Sequence, residues 1–150
     1  LKLNQKAPTF SLLDQDGNTH TLKQYLGKKV LIYFYPKDDT PGCTTEACNF
    51  RDNYEALKSA GLVVLGVSKD TTKSHKKFAE KFNLPFPLLS DEDTSMCQAY
   101  GVWGMKKFMG REYMGISRAS FLIDEKGMVA KIYEDVKPKE HTQEVAGDIV

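Results

Sequence analysis

Two of the three cysteines, Cys43 and Cys48, stand five residues apart where an apolar run gives way to a more polar, helix-forming one. Thr40 suits the N-cap of that helix, and Pro41 suits its first position, where no backbone N–H is needed. Cys43 then falls in the first turn, where unpaired N–H groups and the positive end of the helix dipole favour a thiolate. The spacing therefore predicts an activated sulfur at a helix start.

A helix end alone does not ionise a thiol at neutral pH. A free thiol has a pKa of about 8.5, so a predominant thiolate at pH 7 requires a fall of about two units, or ~2.7 kcal/mol. A helix terminus supplies only about 0.3–1 kcal/mol. Arg118 is the candidate for the missing cation, because a guanidinium stays charged and presents several donors in a fixed fork. An arginine just before a strand is otherwise a solvated flank.

Each cysteine also has a plainer interpretation. A cysteine on an apolar helix stripe is commonly a small core residue, and Cys48 is equally well a spare buried thiol. For Cys97, a core role is favoured over redox work. The spacing of Cys43 and Cys48 is not Cys-x-x-Cys, which counts against an ordinary thioredoxin-type reductase. The three histidines are scattered and share no metal-ligand spacing with the cysteines, so these residues make a poor zinc site and we expect no metal.

Length and composition indicate one soluble domain, residues 1–150. Lys and Arg (21) nearly balance Asp and Glu (20), which argues against nucleic acid or an anionic membrane as a main partner. Three cysteines do not make the disulfide framework of a secreted protein, so we expect a cytoplasmic location. Because the sequence begins at Leu1 rather than Met, a removed targeting segment remains an alternative.

The elements that must position these residues follow from periodicity. Residues 30–35 form a continuous β-prone run, residues 41–60 carry a helical apolar stripe, and residues 62–67 form a second apolar run. Strand, helix and strand in ~35 residues predict a βαβ unit with parallel strands. The remaining predictions are a hairpin of residues 9–13 and 19–22, a helix at 72–83, an edge strand at 88–89, a short helix at 94–100, a hairpin of 121–124 and 129–133, and a short helix after Pro138.

Residues 101–118 contain four glycines and are predicted to form a long loop. Several large apolar side chains fall in this segment: Trp103, Met105, Phe108, Met109 and Met114. They suit either an apolar collar for organic peroxides or packing of the loop against the core.

The pattern Pro36-x-x-x-Thr40-x-x-Cys43 resembles the active-site signature of the peroxiredoxins, which are thiol peroxidases. The run from Asp39 to Glu46, followed by Cys48, is similar to the bacterioferritin-comigratory (Q-type) subfamily. The resemblance extends through Ala7-Pro8-x-Phe10, Tyr100–Gly104 and Ser117–Asp124. It implies a single-domain α/β, thioredoxin-like fold with an added N-terminal β-hairpin.

The same resemblance assigns roles to the residues. It makes Cys43 the peroxidatic cysteine and Cys48 the resolving one, and it matches Arg118 to the family's catalytic arginine. It also gives Thr40 a hydroxyl that orients sulfur and peroxide. Two supporting residues complete the set. Pro36 shapes the loop and shields the sulfur. Glu46 lies about 60° from Cys43 around the helix and either positions Arg118 or is a plain first-turn acid.

The implied activity is reduction of hydrogen peroxide and organic hydroperoxides through a Cys43 sulfenic acid and a Cys43–Cys48 disulfide, in antioxidant defence and redox homeostasis. Thioredoxin or a similar dithiol protein is the implied reductant, no metal, haem or flavin cofactor is implied, and we expect a monomer. A protein disulfide oxidoreductase and a non-enzymatic redox sensor remain alternative functions.

Helix geometry adds one prediction about this disulfide. Residues five apart on a regular helix have Cα atoms roughly 8.7 Å apart, whereas a disulfide spans about 7 Å at most. We therefore expect one helix through Cys43 and Cys48 in the reduced protein, and unwinding of that helix before the bond can form.

Overall fold

The chain folds around a buried strand of residues 29–34, the middle strand of a five-stranded sheet. The structure, a computed structural model, describes residues 1–149. Its strands are β1 (Ser11–Leu13), β2 (Thr19–Thr21), β3 (Lys29–Phe34), β4 (Leu62–Ser68), β5 (Leu88–Ser90), β6 (Trp103–Phe108), β7 (Arg111–Ile116), β8 (Ala119–Ile123) and β9 (Val129–Tyr133). Its α-helices are α1 (Pro41–Asp52), α2 (Tyr54–Ser59), α3 (Thr72–Phe82), α4 (Ser95–Ala99) and α5 (His141–Asp148).

The sheet has the strand order β5-β4-β3-β8-β9. Strand β3 pairs in parallel with β4 and antiparallel with β8. It lacks polar alternation because both faces of the sheet are covered. Leu31 and Tyr33 belong to the core cluster that contains the apolar face of α1, and Ile32 and Phe34 belong to the cluster on the other face. The predicted βαβ unit and the mixed α/β class are confirmed.

Most of the other predicted elements are also present. Strands β1 and β2 form the N-terminal hairpin, β5 is a parallel edge strand, and β8 and β9 form an antiparallel hairpin. Helices α3, α4 and α5 lie where periodicity placed them. Among residues 1–149, no helix has the length and apolar character that a membrane span requires.

The predicted single helix of residues 41–60 is wrong, because the chain breaks it at Asn53. This residue has φ −109° and ψ 6°, outside helical geometry, and separates α1 from α2. Its side-chain amide donates to the Asn49 carbonyl at 2.9 Å, so it competes with its own backbone N–H for the helical acceptor. The apolar stripe continues past the break, which is why periodicity did not reveal it.

The predicted long loop of residues 101–118 is also wrong. It forms an antiparallel hairpin, β6 and β7, joined by Met109 and Gly110 with φ values of 50° and 79°. Two successive residues at positive φ make the tight turn that suits a hairpin. The strands escaped detection because most of their side chains are exposed on both faces; Phe108 is 66% exposed and Met109 is 87% exposed. The exposed methionines therefore do not pack a loop against the core.

Candidate active site

Cys43 is the third residue of α1 and is only 2% exposed. Thr40 takes the N-cap position and Pro41 the first helical position, as predicted. The first hydrogen bond of α1 runs from the Thr44 N–H to the Thr40 carbonyl, at 2.8 Å. The N–H groups of Gly42 and Cys43 therefore have no acceptor within the helix, and they place partial positive charge beside the sulfur.

Arg118, which immediately precedes β8, is the cation that meets this sulfur. Its Nη2 donates to Cys43 Sγ at 3.2 Å, and its Nη1 donates to Glu46 Oε1 at 2.8 Å. The guanidinium is itself largely buried, with a side chain that is 17% exposed. The structure thus brings Arg118 to two other predicted site residues, Cys43 and Glu46, which lie more than 70 positions before it in sequence.

Gly42 makes the approach of the guanidinium possible. A Cβ at this position would lie 3.1 Å from Arg118 Nη2 and 3.6 Å from Pro138 Cγ. The first distance is shorter than most real Cβ contacts, so a side chain here would displace the guanidinium by a few tenths of an ångström. Gly42 is therefore a site residue that the sequence analysis did not single out.

Glu46 is the sixth residue of α1 and is 0% exposed, so it is not a plain first-turn acid. Its Oε1 accepts from Arg118, while its Oε2 has no hydrogen-bond partner within residues 1–149. Burial raises the pKa of Glu46 to about 7, and the Arg118 guanidinium only partly offsets this effect. Glu46 is therefore close to its point of ionisation at neutral pH.

The Thr40 hydroxyl does not cap α1. Its Oγ1 donates to the Lys37 carbonyl at 2.9 Å, and it accepts no hydrogen bond from the helix N–H groups. The N-cap position was predicted correctly, but a side-chain capping bond is absent because the hydroxyl closes the preceding turn instead. With its proton committed to Lys37, the Thr40 oxygen keeps only acceptor capacity.

The loop that leads into α1 is held by Asp38, which the sequence analysis missed. Asp38 Oδ1 accepts from the Tyr35 hydroxyl at 2.6 Å, and Oδ2 lies 2.7 Å from His75 Nδ1 and accepts from Ser74 Oγ at 2.8 Å. His75 Nε2 faces the Leu89 carbonyl at 3.0 Å. His75 on the apolar face of α3 was the available signal, because a buried imidazole requires polar partners.

Asp38, Asp70 and His75 also have the spacing of a metal site, with ligand atoms within 4.8 Å of one another. Each of these atoms already has a protein partner, since Asp70 Oδ2 accepts from the Asp38 N–H at 2.9 Å and from Ser68 Oγ at 2.6 Å. We therefore assign this group to anchoring the loop. Pro36 is half-buried at the start of the same loop, which fits a shaping role.

Cys48 is half-buried on the same helix as Cys43, and both thiols are free. Helix α1 is continuous from Pro41 to Asp52, so one helix contains both cysteines, as predicted. Regular helix geometry then separates their Cα atoms by roughly 8.7 Å, beyond the reach of a disulfide. Joining the two sulfurs therefore requires α1 to unwind.

Known proteins are similar to this chain in sequence and in fold. A family model described as the AhpC/TSA family matches residues 3–132. A putative peroxiredoxin bcp from Coxiella burnetii is 51% identical over 147 residues, which is 98% of this chain and 97% of that protein. This chain is a peroxiredoxin of the AhpC/TSA family. Peroxiredoxin Bcp from Escherichia coli K12 is 52% identical over 94% of the chain and 90% of its own length.

Solved structures of peroxiredoxins agree with the fold. Peroxiredoxin Q from Xanthomonas campestris has a TM-score of 0.89 at 38% identity, covering 93% of this chain and 89% of that one. A PrxQ mutant from Xylella fastidiosa has a TM-score of 0.91 at 32% identity, covering 99% and 96%. The thioredoxin-like fold and the resemblance to Q-type peroxiredoxins are confirmed. The chain is accordingly a thiol peroxidase, an oxidoreductase.

Proposed function

We propose that this peroxiredoxin reduces hydrogen peroxide and organic hydroperoxides with Cys43 as the attacking thiol. The observation that carries the proposal is the 3.2 Å contact between Arg118 Nη2 and Cys43 Sγ. The helix end alone stabilises a thiolate too weakly, and the Arg118 guanidinium supplies the additional positive charge. A charge-assisted hydrogen bond of this kind favours a thiolate over a thiol. A Xanthomonas campestris bacterioferritin comigratory protein of similar structure was studied for alkyl peroxide reduction, which supports organic hydroperoxides as substrates.

In the first step the Cys43 thiolate attacks the terminal oxygen of the hydroperoxide. The S–O bond forms as the O–O bond breaks, the sulfur is oxidised to a sulfenic acid, and the leaving oxygen takes up a proton to become water or an alcohol. Arg118 stays beside the negative charge as it moves from sulfur to oxygen. The Thr40 oxygen accepts a hydrogen bond from the peroxide O–H, since its own O–H already donates to the Lys37 backbone carbonyl.

In the second step the Cys48 thiol condenses with the sulfenic acid and releases water. Helix α1 must unwind for the two sulfurs to meet, because the helix holds them too far apart. A dithiol protein such as thioredoxin then reduces the disulfide by thiol–disulfide exchange. The monomeric state and the cytoplasmic location expected from the sequence stay predictions.

Steady-state peroxide consumption with several donors tests this proposal. We expect turnover with thioredoxin and its reductase, and a Cys48→Ser variant that still forms the Cys43 sulfenic acid but no intramolecular disulfide. Cys97→Ser is the matched control and should behave as wild type. If Cys48→Ser turns over normally and Cys97→Ser fails, the resolving cysteine is misassigned.

The same measurements separate the alternative functions. Rapid exchange with protein disulfides but slow peroxide consumption would favour a disulfide oxidoreductase, and oxidation without turnover would favour a sensor.

Amide hydrogen exchange tests the unwinding of α1. We expect residues 43–50 to exchange faster in the disulfide form than in the reduced form, because the helical hydrogen bonds must break. Residues 54–59 of α2 provide an internal reference. Equal protection of residues 43–50 in both forms, with the 43–48 disulfide confirmed by mass, would contradict this step.

A further inference from the structure

One guanidinium serves two buried acids at the active site. Arg118 Nη1 lies 2.8 Å from Glu46 Oε1, and Nη2 lies 3.2 Å from Cys43 Sγ. Glu46 is 0% exposed and Cys43 is 2% exposed. If both acids were ionised, one negative charge would be left uncompensated away from water, which is unfavourable.

The neighbouring titratable groups do not supply a second positive charge to Glu46. Lys106 on β6 donates its Nζ to a backbone carbonyl of β7 at 2.9 Å, and burial lowers its pKa. His141 on α5 bonds to side chains of β8 and of its own helix, and burial lowers its pKa as well. The buried Tyr33 hydroxyl on β3 has no hydrogen-bond partner within residues 1–149, and neither does Glu46 Oε2.

We propose that Glu46 carries a proton while Cys43 is a thiolate and releases that proton when the sulfur is oxidised. The inference rests on the proposed function, because it takes Cys43 as the attacking sulfur. The negative charge then passes from Cys43 to Glu46 as the sulfenic acid forms, so Arg118 stays paired with one anion until α1 unwinds. Glu46 is a positioning residue in this scheme, since it does not touch the peroxide. Its pKa of about 7 is consistent with exchange of a proton at neutral pH.

The proton balance distinguishes this scheme from one in which Glu46 stays ionised beside a Cys43 thiolate. A thiolate and a thiol reduce a hydroperoxide by two electrons, giving a disulfide, an alcohol and hydroxide. The S–S bond forms, the O–O bond breaks, and hydroxide takes one proton from solvent to become water. If Glu46 releases one proton to solvent in the same step, the net uptake is zero.

A single-turnover proton count tests the inference. Reduced protein without a donor is mixed with one equivalent of hydrogen peroxide near pH 6.5, in weak buffer with a pH indicator, and the disulfide is confirmed by mass. We expect uptake close to zero for wild type and for Glu55→Gln, an exposed control on α2. Glu46→Gln, which keeps an acceptor for Arg118 but cannot carry the proton, should take up about one proton per disulfide.

Uptake of about one proton by wild type, or equal uptake by wild type and Glu46→Gln, would overturn the inference. Absence of the disulfide would instead count against the proposed function, so the two failures are distinguishable. Infrared difference spectroscopy of wild type then locates the proton, because a Cys43 thiol beside an ionised Glu46 would give the same proton count, and this measurement needs no variant. Loss of a protonated-carboxyl C=O band on oxidation would support the inference, and an unchanged band would refute it.

Discussion

Cys43 and Cys97 are each the third residue of a helix, and both are buried, at 2% and 0% exposure. Their surroundings nevertheless carry opposite charges. Cys43 Sγ accepts a hydrogen bond from the Arg118 guanidinium, whereas Cys97 lies beside the Asp91 carboxylate, which accepts from its backbone N–H at 2.8 Å. Burial and then Asp91 raise the pKa of Cys97 well above the ordinary range.

The two helix starts are also used differently. The Asp91 carboxylate accepts from the N–H groups of Met96 and Cys97, so the positive end of α4 is already neutralised by an anion. No side chain caps α1, and its free N–H groups remain available to the sulfur of Cys43. Helix position and burial are therefore not sufficient to activate a cysteine. The charge of the nearest buried side chain is what distinguishes the two cysteines.

Replacing each cysteine by serine is the strongest test of this contrast. Cys43→Ser should abolish peroxide turnover, because a hydroxyl is far too weakly acidic to replace the thiolate. Cys97→Ser should retain turnover and change stability by only about 1 kcal/mol, because its hydroxyl has the Asp91 carboxylate as a hydrogen-bond acceptor, as the thiol does. Peroxide consumption with thioredoxin and urea unfolding measure the two effects. Loss of turnover in folded Cys97→Ser would break the comparison.

Removing the cation should make the environment of Cys43 more like that of Cys97. A hydrogen bond to a charged group contributes about 1.5–3 kcal/mol, so Arg118→Ala should slow the reaction with peroxide by about 10- to 150-fold. Single-turnover oxidation of Cys43 by hydrogen peroxide, followed by mass, measures this rate. Arg111→Ala, an exposed arginine on β7, is the control and should keep the wild-type rate. An unchanged rate in Arg118→Ala would remove the role given to the guanidinium.

Glu46 should give the stability of the protein a pH dependence of its own. Its pKa is raised from 4.5 to about 7 in the folded state, so the folded protein binds this proton more tightly than the unfolded chain. The stabilisation is present below about pH 4.5 and is lost as pH rises through about 7. Between pH 5 and 8, wild type should lose about 2–3 kcal/mol more unfolding free energy than Glu46→Gln. Urea unfolding at both pH values measures this difference. An equal change in unfolding free energy for the two proteins between pH 5 and 8 would contradict the prediction.

The smallest expected effect concerns Gly42. Gly42→Ala should shift the guanidinium by a few tenths of an ångström, because its Cβ would lie 3.1 Å from Arg118 Nη2. We expect the peroxide rate to fall by about two- to tenfold. Gly104→Ala is the matched control, since a Cβ there meets nothing within 4 Å. Equal rates in both variants would show that the guanidinium tolerates the added methyl group.

The sequence predicted the parts of the site that local chemistry specifies. Thr40 and Pro41 marked the start of α1, and Cys43 followed from that start by counting residues. The contact between Arg118 and Cys43 joins residues 75 positions apart, and it was inferred from the need for a cation and from the family resemblance. The break at Asn53 was not predictable from periodicity, because it depends on a side-chain amide competing with the backbone.

Other features depend on contacts between distant segments. The bonding of Asp38 to His75 joins residues 37 positions apart, and neither residue stands in a recognisable motif with the other. The hairpin of β6 and β7 was missed because its strands project side chains into solvent on both faces and so lack apolar alternation. The deep burial of Glu46, which raises its pKa, follows from the way α1 packs on the sheet rather than from the helix sequence.

The anchoring of the loop by Asp38 and the burial of Leu57 in α2 together bear on the speed of the proposed disulfide formation. They hold the chain before and after α1, so an unwound α1 is a short loop held at both ends rather than a free segment. Within that loop Cys48 meets Cys43 at a high effective concentration, and closing a loop of about ten residues takes ~10–100 ns. On the proposed mechanism, loss of the α1 hydrogen bonds is then the slow event, and the stability of this helix sets the lifetime of the sulfenic acid.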